Sequence, residues 1–351
     1  MKISQYLSWK ISILSFIAIV MVIYIHSYYI EAESFPLSTL TQKIGSCITF
    51  PSVPLFYAIS GFLFFNGVNH WKNCLPKMKK RIKTLVVPYL IGNIVFVLWY
   101  VGLAIIPGCS KYVNSDMLGC LSITKPLSTL SYLFVKPAAF QLWFLRDLIV
   151  FMAFSPLIYL LIKHTKCFAF VLTFLVTGWA TRLWLTYFVF GGLLAQYYPN
   201  KIELFRSRYK YIPIISFVVY VLWCVASIGN LLVFDNVILA RYVSQLIVLL
   251  PLISIWGGYD LLVRTSYVPS KFVLGIVGYT FFIFLFHEPS FNIIKKLGLV
   301  FLGVGEWQLI ILYLINPIIM VFVSIVVAKV LERTIPYFYS ITVGGRINKR
   351  T

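Results

Sequence analysis

Charge is what this chain has least of. Only 11% of its 351 residues are charged and ten are acidic, while 60% are hydrophobic. Soluble domains carry about a quarter charged residues, so a water-facing globular surface is excluded for most of the length. Histidine is scarce too, at four residues, which makes any histidine inside an apolar run conspicuous. The six cysteines (Cys47, Cys74, Cys109, Cys120, Cys167 and Cys224) are scattered without ligand spacing, and no metal site is expected from them. Cys109 and Cys120 share one loop, each after a glycine; an oxidising compartment would let them pair, and two free thiols fit the spacing equally. There is no repeat period, no low-complexity tract and no segment that reads as a soluble domain.

What is present is hydrophobic length. A membrane span needs roughly 20 apolar residues, and about ten such stretches can be placed: 11–30, 50–67, 84–106, 143–162, 167–180, 182–198, 212–233, 238–260, 272–291 and 307–331. The fifth and sixth are short and separated only around Ala180–Thr181–Arg182. With the N-terminus inside, 21 of the 30 basic residues fall on inner segments and seven of the ten acidic residues on outer ones, giving +18 inside and +2 outside. That asymmetry follows the positive-inside rule. The expectation is an all-α polytopic membrane protein of about ten transmembrane helices, with both termini cytoplasmic. The first span is too long for a signal-peptide core and is expected to be retained. The net charge of +20 is explained by topology and anionic lipid, with no nucleic acid partner. The many aromatic residues read as interface belts and interhelical packing.

Five places could carry chemistry. His26 ends the first span, about 22 Å from Ile11 at helical rise, and an ionisable group at that depth commonly marks a pathway or reaction site. Imidazole suits a general base; a hydrogen bond to a neighbouring helix is the plainer role. The inner loop holds six basic residues between Lys72 and Lys83, with Lys77, Lys80, Arg81 and Lys83 able to hold a phosphorylated ligand, beyond ordinary inner-face charge. Ser60-Gly61 lies in the second span; packing suits Gly61, and Ser60 either lines a channel or bonds its own backbone. Trp143 and Arg146 open the fourth span, either as an interface anchor or facing the interior. Arg146 and Asp147, being adjacent, are expected to point to different sides. Phe286-His287-Glu288-Pro289 puts a second histidine beside a carboxylate near the end of the ninth span.

In this order, Val22-Ile-Tyr-Ile-His26-Ser27, Ser60-Gly61-Phe62-Leu63, Lys80-Arg81 with Pro88-Tyr89, Leu142-Trp143-Phe144-Leu145-Arg146 and Phe286-His287-Glu288-Pro289 make the chain resemble the membrane acyltransferase-3 family of bacterial O-acyltransferases. The resemblance implies a transmembrane domain over 1–335 followed by a short basic cytoplasmic tail, 336–351, in the bacterial inner membrane. It implies acyl-CoA, acetyl-CoA by default, as donor, a hydroxyl of a cell-envelope glycan or glycolipid as acceptor, and no metal. His26 matches the family's catalytic histidine. Trp143, Arg146, His287 and Ser60 are the expected substrate contacts, and Arg81, Lys80, Lys83 and Lys77 the expected donor contacts. The chain departs from the family in having Ser15 where a basic residue is usual, and Thr84 where a second arginine would follow Arg81. Glu31, Asp147 and Glu288 are all candidates to orient a histidine. The rival expectation is a transporter or flippase of a lipid-linked glycan, against which the lack of internal repeats counts.

Overall fold

The computed structural model describes residues 3–29, 34–106, 135–137, 139–179, 184–198 and 209–346. Among these every regular element is helical. The loop with Cys109 and Cys120, the Ala180–Thr181–Arg182 junction and Glu31 lie outside the described residues. In chain order the helices are α1 (Gln5–His26), α2 (Pro36–Thr49), α3 (Ser52–Phe65), α4 (Cys74–Arg81), α5 (Val87–Ile105), α6 (Trp143–Ala153), α7 (Ser155–Thr165), α8 (Phe168–Trp179), α9 (Leu185–Tyr197), α10 (Tyr211–Ile228), α11 (Val237–Ile247), α12 (Leu249–Leu262), α13 (Lys271–Val277), α14 (Thr280–Leu302), α15 (Glu306–Thr334) and α16 (Pro336–Thr342).

Among the described residues, six helical runs are long and apolar enough to cross a membrane, and eight if the bent pairs α6–α7 (65°) and α13–α14 (49°) each count as a span. Two stretches expected to be loops are helical. Residues 36–49, read as a connection, form α2 and run with α3 as one 30-residue segment; residues 71–83, read as an inner loop, are helical and run into the span read over 84–106. The basic run therefore sits on a helix, α4, whose end passes through a π-helical turn, Ile82–Val86, into α5. At 12 and 13 residues, α8 and α9 are each about 20 Å long.

Large apolar side chains such as Ile215, Phe217, Leu222 and Val225 of α10 face outward, as a lipid solvent allows. Inside, two apolar clusters form. One gathers Tyr57, Phe64, Phe65, Phe151 and Phe188; the other gathers Ile23, Ile283, Phe291 and Met320. Helix α1 joins them, with Leu7, Ile11 and Ala18 in the first and Ile19, Val22 and Ile23 in the second. Close approach of α3 and α9 rests on glycine: a Cβ at Gly61 would strike the Phe188 carbonyl, and one at Gly191 the Ala58 carbonyl. Gly61 is a packing residue, as small residues between apolar helices often are.

Helix α1 is pinned at its start by charge. Lys10 Nζ lies 2.7 Å from Asp260 Oδ2, with both side chains buried, and Tyr6 donates to the other carboxylate oxygen at 2.7 Å. Lys10 also stands over the Trp256 ring at 4.0 Å. Ser4 caps the helix by accepting from the Leu7 N–H, relieving one of the unpaired donors of the first turn.

The segment after α15, expected to be a short basic tail, folds back as α16. Tyr339 of this helix is buried against Phe282, with 5.6 Å between ring centres, and Val343 is buried just beyond the helix end.

Candidate active site

Two prolines position the C-terminal end of α1. Proline removes the N–H that would bond the carbonyl four residues earlier. In α15, Pro317 thereby frees the Tyr313 carbonyl, and Ser27 Oγ donates to it at 3.1 Å; Tyr24 donates to the adjacent Leu314 carbonyl at 2.9 Å. In α14, Pro289 frees the Leu285 carbonyl, and Gln141 Nε2 donates to it at 2.9 Å and also to the Glu288 carbonyl. Glu288 itself has non-helical backbone angles, φ −111° and ψ 139°. The break therefore turns its carboxylate toward α1. Lys295 Nζ donates to the carbonyls of His26 (3.0 Å) and Tyr28 (2.7 Å), a cation at the negative end of a helix.

His26 is thus held by its backbone while its ring makes no side-chain hydrogen bond among the described residues. Glu288 Oε1 is 3.8 Å from His26 Nδ1, and the other Glu288 oxygen accepts from Asn292 at 2.9 Å. Of the two candidate carboxylates among the described residues, Glu288 is the one beside the ring. Asp147 is committed to Arg146, whose Nε and Nη2 donate to it at 2.9 and 2.7 Å. The expectation that these adjacent side chains diverge is corrected: the arginine's length lets it curl back across the intervening angle.

His287 is fully enclosed, and its ring lies 5.3 Å from that of His26. Its Nδ1 faces the Phe284 carbonyl at 2.8 Å. A carbonyl only accepts, so Nδ1 carries the proton and Nε2 holds a lone pair; Nε2 has no partner among the described residues. His287, expected as a substrate contact, lines neither of the cavities described next.

His26 opens on a cavity of about 510 Å³ lined also by Phe140, Gln141, Trp143, Arg146 and Asp147. A second cavity, of about 410 Å³, lies toward the other end of α1, where Ser12 and Ser15 line it with Ser60, Arg81 and Arg346. The two share Phe56, Phe144 and Phe284 as walls. These rings pack in series, with centres 5.8 Å apart for Phe56–Phe144 and 5.6 Å for Phe144–Phe284. Ser15 and His26 are about 16 Å apart along the helix axis.

The expected residues therefore divide. Trp143 and Arg146 join His26 in one cavity, and Ser60 and Arg81 line the other. Lys77 is engaged elsewhere: its Nζ donates to the carbonyls of Phe64 (2.6 Å) and Asn66, closing the end of α3. Lys80 and Lys83 are exposed and line neither cavity. Residues not singled out from sequence include Asn292, Lys295 and Arg346. Glu288, Asn292 and Lys295 recur at i, i+4 and i+7, one face of α14, and this polar stripe in an apolar run is a signal the sequence carries. No group of histidines, cysteines and carboxylates among the described residues is arranged to hold a metal ion.

Membrane-length helices thus enclose two cavities that meet at an aromatic wall, with His26 and the Arg146–Asp147 pair on one side and Arg81 and Arg346 on the other. The chain belongs to the acyltransferase-3 family, whose acyltransferase domain matches residues 10–331. Among curated proteins and among solved structures, nothing matches it. It is a multi-pass membrane acyltransferase by family and by its apolar helices.

Proposed function

We propose that the chain is a membrane O-acyltransferase that moves an acyl group, acetyl in the simplest case, from cytoplasmic acyl-CoA to a hydroxyl of a cell-envelope glycan or glycolipid. The observation that carries this reading is the pair of cavities divided by Phe56, Phe144 and Phe284, one holding His26 beside the Arg146–Asp147 pair and the other, the arginine cavity, holding Arg81 and Arg346 with no acidic residue among those described lining it. The excess of basic residues on the expected inner segments supports a cytoplasmic position for the arginine cavity in a bacterial inner membrane. There Arg81 faces the donor's phosphates, and the thioester arm reaches past the three rings toward His26.

In the histidine cavity His26 acts as general base. It takes the proton of the acceptor hydroxyl as that oxygen attacks the thioester carbonyl, and the Glu288 carboxylate at 3.8 Å steadies the imidazolium. Arg146 and Trp143 place the acceptor, and the Arg146 charge in the same cavity steadies the developing oxyanion. Collapse of the tetrahedral intermediate breaks the carbon–sulfur bond, and the departing thiolate recovers the proton from His26. His287, with its proton fixed on Nδ1, packs behind the base.

The test is transfer of a radiolabelled acyl group from acyl-CoA in membranes containing His26→Ala. Loss of label by about 10²–10⁴-fold, the usual contribution of a positioned base, supports the reading. Unchanged glycan ester content would overturn it, and movement of the lipid-linked glycan across the membrane without acylation would favour a transporter.

A further inference from the structure

The arginine cavity is built partly by a residue beyond the family's matched region, which ends at 331. Arg346 follows α16 and reaches the cavity through Gly344 and Gly345, at φ +64° and +75°. Glycine enters this left-handed region freely, and a Cβ at Gly344 would press on the Thr84 backbone. The Gly344 and Gly345 N–H groups bond the Ile341 and Ser340 carbonyls, ending α16 and turning the chain back.

The Arg346 guanidinium lies 3.9 Å from the centre of the Phe281 ring. Its Nη1 donates to the carbonyls of Thr84 (2.8 Å) and Val343 (3.0 Å). Those two contacts fix the plane of the group and leave Nε and Nη2, a two-pronged donor, without a partner among the described residues. Arg81 lines the same cavity from α4, and no acidic residue among those described lines it. Among the described residues neither arginine forms an ion pair. Burial, and then the neighbouring Arg81 charge, lower Arg346 to about 10, so it stays protonated at neutral pH. Two like charges facing a largely apolar space repel, and an anion between them reverses the sign of that interaction.

We propose that Arg346 and Arg81 together form a phosphate-binding clamp, completed by the C-terminal segment, that holds the phosphate groups of the CoA donor. The clamp rests on the acyl-CoA reading above. Arg346 supplies a forked contact to a phosphate oxygen pair, and Arg81 supplies the opposing charge. An anionic phospholipid headgroup has the same chemistry, and the experiment separates the two sources.

The full chain in phosphatidylcholine nanodiscs is titrated with CoA and with phosphate-free acetyl-pantetheine, and CoA binding is repeated in discs containing phosphatidylglycerol. Arg346→Gln is expected to weaken CoA binding by about 10- to 100-fold, the range of a charge-assisted contact, and to leave acetyl-pantetheine binding unchanged. Arg346→Lys, which keeps charge and loses the fork, should fall between. Equal CoA affinity in wild type and Arg346→Gln would overturn the clamp while leaving the acyl-CoA reading standing. Equal loss for CoA and acetyl-pantetheine would also overturn it, by showing a structural role. So would CoA affinity that is unaffected by Arg346→Gln while phosphatidylglycerol retention is lost. Wild type that binds no CoA and transfers no acyl group would overturn the acyl-CoA reading itself.

Discussion

The two ends of α1 are anchored by opposite means. At the start, formal charges meet: Lys10 and Asp260 are 2.7 Å apart and almost wholly enclosed. At the finish, neutral carbonyls accept: the Tyr313 carbonyl freed by Pro317 from Ser27, the adjacent Leu314 carbonyl from Tyr24, and the carbonyl of His26 at the helix end from Lys295. The first arrangement tolerates no loss of a partner. The second fixes the backbone of His26 and leaves its ring uncommitted, with Glu288 beside it. A helix that must hold a reactive side chain steady has its anchoring at the main chain and its freedom at the side chain.

Breaking the charged anchor should have the largest effect. Lys10→Met leaves the Asp260 carboxylate enclosed without its cation, and removing one member of such a pair costs about 3–5 kcal/mol. Thermal unfolding in detergent should show a large fall in Tm, or the chain should fail to accumulate. Lys10→Met with Asp260→Leu should recover most of that loss; a double variant no better than the single one would refute the pairing as the anchor.

Removing the charge beside the ring acts on rate and spares the fold. Glu288→Gln keeps the shape and the Asn292 neighbour but withdraws the anion that faces an imidazolium. A fall in kcat on the order of 10² is expected, below the effect of losing the base itself, with little change in KM or Tm. An unchanged kcat would show that His26 works without it.

Much of the site was legible as residue types. His26, Arg81 and Arg146 stand out because charge and imidazole are rare here, Trp143 stands out only through its place beside Arg146, and each lies on a cavity wall. The partition was not legible: Phe56, Phe144 and Phe284 are three of 30 phenylalanines, and nothing local separates a wall from packing. Glu288 could not be chosen over Asp147 because the arginine that occupies Asp147 is its immediate neighbour, and adjacency in a helix ordinarily separates side chains. Helix α2 was hidden by its Ser, Thr and Gln, polar residues that suit a connection; Ser38 and Gln42 are buried and bonded to each other instead. Arg346 read as tail charge because only a paired-glycine turn brings it inward.

Gln141 offers a gentler break at the finish of α1. Gln141→Leu leaves the Leu285 carbonyl, freed by Pro289, without a donor in a buried place. An unmet buried acceptor costs about 1–3 kcal/mol. The expected outcome is a modest drop in Tm together with reduced kcat, since the segment that carries Glu288 loosens. Loss of Tm with unchanged kcat would mean the carbonyl bond supports the fold alone.

The smallest effects should come from the basic run itself, and they sharpen the contrast between its members. Arg81 lines the arginine cavity, whereas Lys80 and Lys83 are exposed and do not. Charges in solvent are screened beyond about 8–10 Å at ordinary salt, and exposed substitutions usually change stability by no more than about 0.5 kcal/mol. Lys80→Ala and Lys83→Ala should therefore shift the KM for acyl-CoA by about twofold or less, an effect that disappears as salt is raised. Arg81→Ala should raise that KM by about tenfold or more and keep most of the increase at high salt, because its contact is enclosed. If the lysine variants matched Arg81→Ala in size and salt resistance, the donor's phosphates would be held along the exposed face of α4, and the cavity would not be where the donor is gripped.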